Sequence, residues 1–99
     1  MTDIRVKVHR RGGDMLIAAC DGDLLGRTLK EGELRLEVSK EFYGGDQGEE
    51  DMLINRLSAA TVANLVGHEV CRIAAENDFI DRDCVVIIEG VPHAQMVRY

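Results

Sequence analysis

Cys20 and Asp21 stand together at the end of an apolar run, and His93 follows the chain's one proline, Pro92. A thiol beside a helix start is acidified by the helix N-terminus. A loop imidazole titrates near neutrality and can serve as acid, base or binding contact. These three residues are the set from which a small enzyme or a ligand-binding site would be assembled, provided folding brings them within hydrogen-bond reach. Asp21 and Asp23 oppose thiolate formation. A free cysteine on an apolar run is more often a small core residue. The expectation is that Cys20, Cys71 and Cys84 are all core.

Other constellations fail on spacing. Asp21-Gly22-Asp23 begins like a calcium loop, but the fifth and twelfth places hold Leu25 and Gly32, not oxygen ligands. Gly44, Gly45 and Gly48 precede acids, where a phosphate loop needs Gly-Lys-Ser/Thr. His68 and Cys71 lie three apart and make no zinc pair by themselves. No metal or cofactor is implied. Ser39 and Ser58 sit in no nucleophile motif.

Charge points elsewhere. The 99 residues carry 12 Lys+Arg and 18 Asp+Glu, a net of −6. Residues 1–11 hold Arg5, Lys7, Arg10 and Arg11 against Asp3, a net of +3. The remainder is −9. A broadly basic nucleic-acid binder is excluded, but a local contact through the first strand is not. Tyr43, His93, Gln95, Arg98 and Tyr99 are the residues that would join it. The competing reading is a solvated strand face, which alternating charge ordinarily marks.

The elements that must position these groups follow from periodicity. Ile4, Val6 and Val8 alternate with charged residues and predict a strand. Arg11-Gly12-Gly13-Asp14 predicts a turn. Met15–Cys20 is uniformly apolar, as a central strand is. A short helix is expected over Leu24–Leu29, then a strand over Glu33–Ser39, then a glycine-rich loop over Phe42–Gly48. Helical spacing runs from Glu49 through Leu53, Leu57, Ala60, Asn64 and Leu65 to a stop at Gly67. A second helix spans His68–Asn77. Cys84–Ile88 reads as another central strand, and Ala94–Arg98 as a last short one. The predicted order is β-β-(short α)-β-α-α-β-β. That makes a single α+β domain over residues 1–99: a two-layer sandwich with an antiparallel or mixed sheet of about five strands and two main helices on one face.

Three stretches carry a resemblance: RRGGDMLIAACDGDLLGRTLKEGELRLEVSKEFYGG, AATVANLVGHEVCRIAAENDFI and GVPHAQMVRY. They resemble a family of small archaeal proteins known as a domain of unknown function. Phe42-Tyr43-Gly44-Gly45 and the closing Gly90 to Gln95, with Arg98, are its most specific parts. The resemblance implies an archaeal, cytoplasmic, single-domain α+β protein and supplies no activity. An odd count of three cysteines also fits a reducing compartment. No apolar run has the ~20 residues of a membrane span. The expected function is a non-catalytic binding module acting with RNA or a protein complex in information processing. The alternative is the small enzyme or ligand-binding protein built on Cys20, Asp21 and His93. The sheet edges leave a homodimer open.

Overall fold

Ile4–Arg11 (β1) and Asp14–Asp21 (β2) pair antiparallel through the expected two-residue turn. Gly12 takes a φ of 56°, which the tight reversal requires and a glycine adopts without steric cost. The computed structural model describes residues 3–98, so Tyr99 lies outside the described residues. After a 3-10 turn at Gly22–Leu24 come Thr28–Glu31 (β3) and Leu34–Glu37 (β4), an antiparallel hairpin of its own. Lys40–Tyr43 (α1), Asp46–Gly48 (β5) and Glu50–Ala59 (α2) follow. Val62–Val66 (β6), His68–Glu76 (α3), Val86–Ile88 (β7) and Val91–Val97 (β8) complete the chain.

Six strands form one sheet in the order β5-β1-β2-β6-β8-β7. Only β2 and β6 run parallel; the other neighbours are antiparallel. The α+β class and the mixed sheet agree with the sequence. Several elements do not. The stretch 62–66, read as the end of a helix, is a central strand. Its side chains alternate between the two faces, which a helical reading cannot represent. The expected helix over Leu24–Leu29 shrinks to the 3-10 turn, because Gly26 takes a φ of 89° and the chain turns into β3. The loop over Phe42–Gly48 contains the end of α1 and all of β5. The Cys84–Ile88 run forms an edge strand, not a central one. Val86 and Ile87 are about half exposed there, and Cys84 is exposed in the turn before it.

The sheet separates two cores. On one face α2 and α3 pack Leu53, Leu57, Val70, Ile73 and Ala74 onto Ile4, Val6, Ile17, Ala19, Ala63, Leu65, Ala94 and Met96. On the other face the β3–β4 hairpin and α1 bring Leu29, Val38 and Tyr43 onto Ala18, Cys20, Val66 and Ile88. That second cover is partial. It protects the half of the sheet nearest Cys20 and leaves the half nearest the β1–β2 turn open.

The two helices are tied by Arg72. Its guanidinium reaches Glu69 and Glu76 at 2.8 Å and Glu50 on α2 at 3.4 Å. These are solvent-screened pairs and orient the helices more than they stabilise them.

Candidate functional site

The open half of the sheet meets α1, and a groove forms where they meet. Ser39 caps α1, its hydroxyl accepting the Phe42 N–H at 3.2 Å. This fixes two consecutive aromatics on different duties. Tyr43 turns inward and is buried in the core. Phe42 lies over the sheet, edge-on to Tyr43 and stacked on His9 of β1 with ring centroids 4.7 Å apart. β1 also grips α1 through polar bonds. His9 Nε2 donates to the Phe42 carbonyl at 2.9 Å, and Lys7 Nζ donates to the Glu41 carbonyl at 2.6 Å.

Two concavities flank Phe42. One, of about 510 Å³, has Asn64, His93 and Gln95 on its floor and Leu36, Tyr43 and the acids Glu37 and Glu41 on its wall. The other, of about 380 Å³, is floored by Leu16 and Val62, with His9, Arg11 and Asp14 around it. The floor is ordered by strand register. Asn64 is opposite Gln95, whose Nε2 donates to the Asn64 Oδ1 at 2.9 Å. His93 Nδ1 lies 3.0 Å from the Leu65 carbonyl. A carbonyl only accepts, so Nδ1 carries the proton and a neutral ring keeps Nε2 as an acceptor.

The enzyme set does not assemble. Cys20 is fully buried, and burial, aided by the neighbouring Asp21 charge, pushes its thiol up to about 12. Cys71 behaves alike, also up to about 12. Asp21 follows Cys20 on the strand and therefore faces the opposite side of the sheet. Its two carboxylate oxygens accept the Glu69 N–H at 3.1 Å and the Val70 N–H at 3.0 Å, capping α3. His93 shares a face with Cys20, but Val66 of β6 lies between them. Two strand spacings put their backbones about 10 Å apart. Among the described residues no group of three or more His, Cys, Asp or Glu is placed to hold a metal ion.

The basic residues of β1 divide. Arg5, Lys7 and Arg11 share the groove face, while Arg10 points to the helix side by strand alternation. Arg5 is paired with Asp3 at 3.4 Å, and Lys7 is held by α1. Arg11 remains at the groove mouth. Arg98 is a clip: it donates to the Ser58 carbonyl at 3.0 Å and lies over the Phe79 ring. The groove thus gathers Tyr43, His93, Gln95 and Arg11 of the expected binding residues. It adds His9, Leu16, Leu36, Phe42, Val62 and Asn64, which sequence reasoning did not assign to a site. Period-two reading of residues 62–66 would have put Val62 and Asn64 on one face. No local signal marks Phe42 as the outward partner of Tyr43.

Asp21 gives a pH test of the cap. Burial raises its pKa above 3.8, and the two α3 amides act the other way without cancelling it. The folded chain therefore holds this proton more tightly than the unfolded chain. Stability from this group is greatest below pH 3.8 and falls as pH rises through the folded value. Asp21→Asn is expected to remove that decline, leaving a flatter pH profile in urea denaturation between about pH 3 and pH 7. An unchanged slope would show that Asp21 titrates normally.

The mixed sheet, the two helices on one face and the hairpin on the other define an α+β sandwich. A family model described as "Protein of unknown function (DUF424)" matches residues 9–99, and the chain belongs to that family. Its fold is similar to the crystal structure of an uncharacterized conserved protein from Methanopyrus kandleri. The TM-score is 0.81 at 27% identity, over 98% of this chain and 95% of that one. No protein with a curated description matches. No helix among the described residues is long and apolar enough to cross a membrane.

Proposed function

We propose that this is a non-catalytic binding module of the archaeal cytoplasm, which seats a segment of a partner protein in the groove beside Phe42. The observation that carries it is the groove floor. Leu16, Val62, Asn64, Gln95 and His93 present apolar surface with a few fixed polar contacts, as peptide and ligand sites do. Phe42 is the aromatic anchor, a residue type enriched at protein interfaces. RNA is disfavoured by the split of the basic residues over two faces and by Glu37, Glu41 and Asp14 around the groove. The distance between Cys20 and His93 argues against the enzyme reading.

The test is affinity capture from archaeal cytosol, with protein and RNA both identified, using the native chain and Phe42→Ala. A protein partner is expected to survive ribonuclease and to fall at least about tenfold with the variant, roughly 1.4 kcal/mol. Circular dichroism checks that the variant folds. Capture of RNA alone, lost in salt and indifferent to Phe42, would overturn the reading.

A further inference from the structure

The six-stranded sheet ends in β5 on one side and β7 on the other. Natural proteins blunt such edges with charge, bulges or cover. β5 is blunted: it carries Asp46 and Gln47, and Asp46 pairs with Arg56 at 3.7 Å. β7 is Val86-Ile87-Ile88 and carries no charge. Val86 is 47% exposed and Ile87 50%. Leu34, 48% exposed, begins β4 in the hairpin packed beside β7.

Pro92 decides where the β7 backbone points. Ile87 stands opposite Pro92, and proline has no N–H to exchange. This is therefore a non-hydrogen-bonded pair, whose residues aim their backbone polar groups away from each other. The Pro92 carbonyl does so, accepting the Gly67 N–H at 2.8 Å on the far side. By the same pattern the N–H and C=O of Ile87 face the outer edge.

We propose that β7 is the interface for a second copy of this chain, paired antiparallel about a two-fold axis at Ile87. The edge is self-complementary in that register. Each Ile87 donates its N–H to the other's carbonyl. On the hairpin side Val86 of one copy stands opposite Ile88 of the other, whose side chain is already buried under its own hairpin, so the exposed apolar contribution there is that of Val86. The two Ile87 side chains meet on the helix side. There each borders a notch of about 430 Å³ lined by Cys71, Ala75, Val85 and Pro92, with His68, Arg72 and Arg82 around it. The two-fold closes the assembly and leaves the charged β5 strands as the outer edges of the joined six-stranded sheets. Three strand residues make a small interface, at the low end of specific contacts, so the dimer is weak. Each copy carries −6, so added salt strengthens pairing by screening.

Sedimentation equilibrium tests this. The native chain is expected to rise from 11.0 kDa toward twice that mass between about 10 μM and 1 mM, with a larger rise in high salt. Ile87→Pro removes the outward N–H and the exposed side chain without deleting a donor of the intrachain ladder, and is expected to stay monomeric. Ile87→Lys serves the same purpose if the proline variant does not fold. Ile87→Cys in a Cys84→Ser background is expected to form a disulfide-linked dimer on oxidation, because the paired Cα atoms would be about 5.5 Å apart. A native chain that is monomeric throughout overturns the proposal. So does a dimer that the folded Ile87 variants leave unchanged.

Discussion

Gly67→Ala is expected to lower the melting temperature by about 12–24 °C, from a loss of about 3 kcal/mol. One added methyl group has two separate effects. Gly67 holds φ 129° and ψ 158°, a region essentially closed to side chains, and occupying it costs about 1–3 kcal/mol. A Cβ at that position also runs into the Asp21 carboxylate. Moving that carboxylate releases the Glu69 and Val70 amides at the start of α3, and loss of a cap costs about 1–2 kcal/mol. The two effects meet at one place, so they do not simply add. Asp21→Ala combined with Gly67→Ala is expected to cost less than the sum of the single changes, by at least about 0.5 kcal/mol in urea denaturation. A Gly67→Ala protein as stable as the native chain would mean that the junction between β6 and α3 can relax.

Leu65→Ala is expected to cost about 2–5 kcal/mol, while Asn64→Ala, its neighbour, costs less than about 1 kcal/mol. Leu65 is fully buried in the middle of β6, among side chains of both helices and three strands, and truncation leaves a cavity there. Asn64 faces the groove, and what it loses is one partly exposed hydrogen bond to Gln95. Chemical denaturation of both variants measures the contrast directly. Similar costs at the two positions would contradict the alternation of β6.

That alternation also explains where the sequence was misleading. Val62-Ala63-Asn64-Leu65-Val66 is short and mostly apolar, and it follows a true helix that ends at Ala59. Ala60, Asn64 and Leu65 continue the helical spacing of Leu53 and Leu57, and over so short a stretch periodicity does not separate the two states. The β-branched Val62 and Val66 were the contrary signal. β1, β2 and their turn were legible because alternation, glycines and an apolar run agreed. Leu24–Leu29 reads as a short helix because aspartates stand at its start, but Gly26 at φ 89° ends the turn after Leu24. The site was less legible than the fold. His93 and Gln95 were singled out as residue types, but Asn64 became Gln95's partner only once β6 was a strand in register with β8. The opposite facing of Arg10 and Arg11 was implicit in the strand reading of β1. The full burial of Tyr43 and the half-burial of Phe42 over the sheet depend on how α1 lands on it, which no local pattern records.

The parallel pairing of β2 with β6 has a consequence for how the chain reaches this state. Parallel neighbours need a long connection, and here it is residues 22–61. That segment first lays the hairpin and α1 on one face. It then adds β5 at the outer edge beside β1 and crosses to the other face as α2. Both cores therefore hang on one excursion of the chain, and the middle of the sheet closes only when the excursion returns. Contacts so distant in sequence carry a high loop-closure cost before they yield anything. Folding is accordingly expected in the millisecond-to-second range typical of non-local topologies. The β1–β2 hairpin is the one large piece able to form early. In native-state hydrogen exchange, the amides between β2 and β6 should open only with the whole molecule.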